Sequence, residues 1–204
     1  YKSALEARGR VTKATRVRVE KAKTLMLSQV PVDYTVQSLS PIIPIADWRV
    51  FPIAAVPKPM EPTEVRPVSD HTKSGLKAAT VDTRLKHTLT AVEDVQREFQ
   101  FAYSMVVGDV DAAHPFLPLA WWIWPNFMFC WFDVREDDDS VDSAMFLYMH
   151  ICGDFGTSGF PGTFKIFFTD VVVNMARSIA IITLPMPVFV DDMALIGAVT
   201  PRLE

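Results

Sequence analysis

The chain has 204 residues and a formal net charge of −4, with half its residues apolar or aromatic and 22% charged. That balance buries a core and excludes a compositionally disordered segment. Two cysteines, Cys130 and Cys152, exclude a disulfide framework, and with four scattered histidines they form no zinc pattern. Fifteen prolines against eight glycines exclude collagen and argue against long coiled coils and helical bundles.

The charge is divided unevenly. Residues 1 to 23 hold eight Lys or Arg and only Glu6 and Glu20, a local +6 that leaves −10 for the remainder. A basic arm ahead of an acidic body fits a polyanion-binding arm on a body that concentrates divalent cations, and a solvated surface helix is the plainer alternative. The arm lacks the apolar core and cleavage site of a secretory signal, so an intracellular protein, in cytoplasm or nucleus, is expected. A second concentration, six acids with only Arg135 between Asp133 and Asp142, reads as a solvated loop.

In chain order, Trp48 to Lys58 (WRVFPIAAVPK) and Glu64 to Asp70 (EVRPVSD) flank a proline-rich turn and predict an irregular β-hairpin at a sheet edge. Thr90 with Glu93 forms a capping box ahead of Val92, Val95, Phe99 and Ala102, which predicts a helix. Ser104 to Val110 predicts a short buried strand that carries Asp109 at its end. His114 to Phe132 is nineteen residues without a formal charge, long enough for a membrane span. Pro115, Pro118, Pro125 and Asn126 interrupt it, and buried strands are the favoured reading. A further apolar run covers Ala144 to Ile151, and a glycine cluster follows from Cys152 to Gly162. Phe164, Phe167, Phe168, Val171, Val172, Met175 and Ile179 predict one buried face of a long helix. Val188 to Val190 is a strand that runs into Asp191 and Asp192 and resumes as Met193 to Ile196.

Asp109 and the Asp191-Asp192 pair stand apart from packing. An acid inside an apolar strand is costly unless something positive meets it, although Asp also favours tight turns. If the two strands are neighbours, their carboxylates converge, and converging carboxylates select hard cations such as Mg²⁺. Two such ions can clamp the attacking and leaving oxygens of a phosphoryl transfer. A nucleic-acid hydroxyl as nucleophile would account for a chain without a Ser-His or Cys-His arrangement.

These residues carry a resemblance. DVDAAHPFLPL from Asp109, FGTSGFPGTF from Phe155 and FVDDMALIG from Phe189 resemble three palm motifs of retrotransposon-type reverse transcriptases. Upstream, Lys58 and Arg66 ahead of Val68-Ser69-Asp70 resemble the fingers hairpin of that family. Order and spacing agree from about Trp48 to Gly197. The resemblance implies an α+β, right-hand polymerase fold, with an antiparallel palm sheet packed on helices and a fingers subdomain. It implies an arm and the start of the fingers in 1–47, fingers in 48–103, and palm with the first motif in 104–119. An insertion with the acidic loop would fill 120–151, and the palm would resume over 152–204.

The resemblance also assigns roles. Asp109 and Asp191 would be the catalytic, metal-binding carboxylates, with Asp192 as an auxiliary acid in the turn and the backbone of Val110 beside them, for two Mg²⁺ ions or Mn²⁺. Arg66, and Lys58 as a second contact, would meet the incoming triphosphate. Main-chain groups of Val110, Asp111, Ala112 and Ala113 would hold its phosphates, and Phe155 would line its pocket. Gly156 would let backbone approach template and nucleotide, and Phe189 and Val190 would lie against template and primer. His114 stands where the family carries a bulky aromatic that excludes a ribose 2′-hydroxyl; imidazole is smaller and polar, so looser sugar discrimination is implied.

RNA-dependent RNA polymerases share the palm. Their first motif has a second Asp where this chain has His114 or Pro115, and their second motif has an Asn where this chain has Phe167, so both point away from them. The partners implied are a primed RNA or DNA template, deoxynucleoside triphosphates, and thumb and RNase H regions of a longer polyprotein, with no membrane. Only Ala198 to Glu204 follow the third motif, so a thumb is expected to be missing from this stretch. The rival reading is an inactive nucleic-acid-binding relic, and a membrane-associated protein is a third.

Overall fold

The computed structural model describes residues 1–30, 48–79, 93, 96–97, 104–110, 113–134, 144–157, 159–189 and 192–197. In chain order its principal elements are helices α1 (Lys2–Glu6) and α2 (Arg8–Glu20), then strands β1 (Thr24–Val30), β2 (Ile53–Pro57) and β3 (Val65–Ser69). Strands β4 (Ser104–Asp109), β5 (Met128–Phe132), β6 (Met145–His150), β7 (Val188–Phe189) and β8 (Asp192–Gly197) complete the set. The fold is mixed α and β, with three small antiparallel sheets ordered β1-β6-β5, β2-β3 and β4-β8-β7. Two compact units divide it, Tyr1–Val81 with His114–Ser158, and Asp82–Ala113 with Gly159–Glu204.

The first unit is built on the β1-β6-β5 sheet. Val30, Met128 and Leu147 are its apolar centre, with Trp48, Val50, Cys130, Met145 and Met149 packed around them. The basic arm belongs to this unit. Its α2 turns Gly9, Val11, Thr12 and Thr15 inward, a face of small side chains that brings the helix backbone close to the strands. The Thr12 hydroxyl donates to the Phe132 carbonyl at 2.9 Å and accepts from the Trp131 indole N–H at 3.1 Å, which fixes α2 on β5. Its cations are engaged at home: Lys13 with Glu64 at 2.8 Å, Arg16 with Asp133 at 2.6 Å. The arm is therefore a helix docked on the first unit. The β2-β3 hairpin forms as the sequence predicts, with Ala55 opposite Pro67 and Val56 opposite Arg66. Among the described residues it is a two-stranded sheet, so each strand has an edge with no further ladder partner, where a proline without an N–H is tolerated.

The stretch from 114 to 132 does not form one span. It breaks into the short helix Ala113–Phe116, a bridge of Pro118 with Cys152, the 3-10 helix Trp121–Asn126 and strand β5. Among the described residues no helix is long and apolar enough to cross a membrane. Each proline removes a helix hydrogen-bond donor, which explains the interruptions.

The second unit departs from two expectations. Strand β4 forms, but it is not buried: Val106 and Val107 are 67% and 61% exposed, although neighbours of opposite pleat. A continuous apolar run reads as a strand covered on both faces, and this one is covered on neither. The long helix also forms, from Phe160 to Ile179, starting after Gly159 in a left-handed φ of 84° with Pro161 in the first turn. Its central segment, Lys165–Val173, is a π-helix. The wider i→i+5 turn takes more residues than the about 3.6 of an α-helix, so a face reckoned on α spacing is sheared apart. Phe164 and Val173 are buried, whereas Phe167, Val171, Val172, Met175 and Ile179 are exposed. The helix predicted around Glu93 lies largely outside the described residues; Glu93, Gln96 and Arg97 are helical. The acidic loop beyond Val134 lies outside them as well.

Candidate functional site

Strands β4 and β8 run antiparallel with Ser104 opposite Gly197 at one end and Asp109 opposite Asp192 at the other. Directly opposed residues project from the same face, with Cα atoms about 4.5–5.5 Å apart. The register therefore brings together two acids more than eighty positions apart in sequence, both of them exposed. Like charges so opposed repel, and a bound cation between them would lower that repulsion. Strand β7 pairs with β8, Val188 opposite Met193 and Phe189 opposite Asp192.

As a donor set, two exposed carboxylates on one sheet face suit a hard divalent cation, which takes oxygen ligands and keeps several waters. Among the described residues no group of three His, Cys, Asp or Glu side chains forms a metal cage. Asp191, the third predicted acid, lies outside the described residues, as do Asp111, Ala112 and Val190. Val110 follows β4 without regular structure, and Ala113 is buried at the start of its short helix. His114 is in that helix and Phe189 is in β7; their side chains lie outside the described part.

The other predicted residues belong to the first unit. Arg66 projects from β3 over the ring of Phe155, with the guanidinium carbon 4.8 Å from the ring centroid. This is a cation-π contact that also holds the planar fork in one orientation. Ser69 donates its backbone N–H to the Phe155 carbonyl at 3.1 Å. Gly156 has φ of 108°, and a Cβ there would collide with the Ser69 carbonyl oxygen. The close backbone approach for which a glycine was expected here is thus made, within the chain, by Ser69. Lys58 pairs with Glu61 in the hairpin turn at 3.0 Å.

Sequence reasoning missed a buried polar network next to this cluster. Asp154 is 1% exposed, and both its oxygens accept from His71 Nε2, at 3.0 and 3.1 Å. Thr157 Oγ1 donates to the same carboxylate at 2.5 Å. His150 meets Thr24 Oγ1 through Nδ1 at 2.7 Å and Arg18 through Nε2 at 3.4 Å. A guanidinium only donates, so Nε2 accepts, and the proton sits on Nδ1. His150 is thereby neutral. Burial, reinforced by Arg18, pushes its pKa down from 6.5 to about 3. Burial works to raise the Asp154 carboxyl, but the hydrogen bond from His71, the charges His150 and His71 can carry, and a hydrogen bond from Ser69 hold it below the usual carboxylate range. Arg18 is lowered by its own burial, against the attraction of Asp154. The only sequence signal was an acid four residues after a histidine, at the end of an apolar run.

The network makes a pH prediction. A histidine depressed in the folded state contributes its full stability above the unfolded value of 6.5, and loses it as pH falls towards about 3. The Asp154 contribution goes later, as pH falls below 3.8. Acidification to pH 4 should therefore cost on the order of 3 kcal/mol from His150. Thermal melts across that range should show a fall in Tm that shrinks in His150→Asn; an equal fall in both proteins would remove the assignment.

No family model matches the sequence, and no curated protein matches it as a relative.

Proposed function

We propose that the chain is part of a reverse transcriptase-like polymerase, the fingers and palm of a retroelement enzyme. Its reaction would be template-directed addition of deoxynucleotides to a primer 3′-hydroxyl, on an RNA or DNA template. The observation that carries the reading is the register that sets Asp109 opposite Asp192, at the end of the sheet where β7 pairs with β8. Asp109 and Asp192, with Asp191, are the residues that would hold Mg²⁺. When bound, such ions supply a lowered pKa for the attacking hydroxyl and charge neutralisation for the pyrophosphate leaving group. In this reading, Arg66 offers its fork of N–H donors to the phosphate oxygens, while Phe155 keeps that fork oriented. Gly156 keeps the segment beside Ser69 free of a side chain.

The test is primer extension by the chain joined to a thumb region, since the stretch alone is expected to be inactive, with Mg²⁺, deoxynucleoside triphosphates and a primed RNA or DNA template. The expected result is extension by this wild-type protein and a loss of at least about a hundredfold in its Asp109→Asn variant, equivalent to about 2.7 kcal/mol of transition-state stabilisation. Equal extension by both proteins would contradict the reading. Nucleic-acid binding without any extension would favour the relic.

A further inference from the structure

Among the described residues Asp154 is the one buried acid, and its carboxylate stands where the 69–71 segment meets the 154–157 loop. His71 reaches it from just beyond β3, Thr157 from its own loop, and Ser69 from the end of β3. His150, at the end of β6, lies 3.9 Å from the same carboxylate. A charge so deeply desolvated persists only where its lone pairs are filled, and removing partners leaves it costly. The positions it ties together also carry the exposed cluster. Phe155 and Gly156 follow Asp154 directly, Ser69 bonds the Phe155 carbonyl, and Arg66 is three residues before Ser69.

We infer that Asp154 is a positioning residue: its buried carboxylate clamps the 154–157 segment against Ser69 and His71, and so sets the Arg66–Phe155 pair for a nucleoside triphosphate. The inference rests on the polymerase reading for its ligand and on geometry alone for the clamp. A shift of the segment by one ångström or so would move the ring from beneath the guanidinium, and Arg66, exposed and otherwise long and flexible, would lose its orientation. Asp154 itself is buried and touches no phosphate in this account. It acts through Phe155.

The test is a double-mutant cycle on the whole chain, with Mg²⁺-dATP as the probe in calorimetric titrations of the wild type, Arg66→Ala, Asp154→Asn and the double variant. Each single substitution should weaken binding about tenfold, and the double variant should be no weaker than Arg66→Ala alone, because both remove the same contact. A hundredfold, additive loss would overturn the inference, as would unchanged affinity in Asp154→Asn. Should Asp154→Asn fail to fold, Thr157→Val removes one hydrogen bond without stranding the charge, and the same outcomes apply. If the wild type binds no dATP, the polymerase reading falls, and amide exchange at Ser69 decides the clamp. Exchange at least tenfold faster in Asp154→Asn or Thr157→Val, with Leu147 still protected, supports it; unchanged exchange at Ser69 overturns it.

Discussion

Gly156→Ala is expected to destabilise the first unit by about 2–4 kcal/mol, the sum of a strained backbone and a steric collision. The backbone sits at φ of 108°, a region that L side chains rarely adopt. The added Cβ would meet the Ser69 carbonyl oxygen, a backbone atom, and the Ser69 N–H is itself tied to the Phe155 carbonyl. Neither side can give way cheaply. Relief requires the loop to lift off β3, which separates Phe155 from Arg66 and pulls on Thr157 and Asp154. Chemical denaturation should show a lower midpoint with little change in slope. Gly108→Ala is the control: an added Cβ there meets only the end of Met193 at 3.8 Å, and its melt should lie near the wild type. A Gly156→Ala protein as stable as the wild type would mean that the segment is not pinned against Ser69.

Much of the local structure was legible. The β2-β3 hairpin announced itself because proline, apolar residues and a turn alternate within twenty positions, and hairpin pairing is local. Strands β4 and β6 were readable as apolar runs, and β8 as the continuation after Asp192. Partnership was harder. Strand β1 pairs with β6, so that Thr24 meets His150 across more than a hundred residues, and no local pattern encodes that register. The docking of the basic arm was not legible for the same reason: its partners Glu64 and Asp133 are remote in the chain. Burial in the second unit was misjudged because composition does not say whether a strand face is covered, nor α periodicity whether a helix will turn as π. At the candidate site, Asp109 and Asp192 were legible as strand-end acids, whereas the His71–Asp154–His150 network is created by three segments and is visible only once they are folded together.

The second large effect concerns those strand-end acids. Asp109 ends β4 and Asp192 begins β8, and their opposition places two negative charges on one exposed face. Charge removal at either position relieves that repulsion while removing an oxygen donor. Asp109→Asn should therefore leave the thermal melt unchanged or slightly raised, while divalent-ion affinity falls by at least about tenfold. The opposite signs matter, since a substitution that merely damaged the fold would lower both.

The most direct measurement is a Mn²⁺ titration followed by electron paramagnetic resonance, comparing wild type with Asp109→Asn and Asp192→Asn. A saturable site is expected in the wild type that weakens in both variants, because the two strands contribute to one ion. Mn²⁺ affinity that is the same in all three proteins would contradict it.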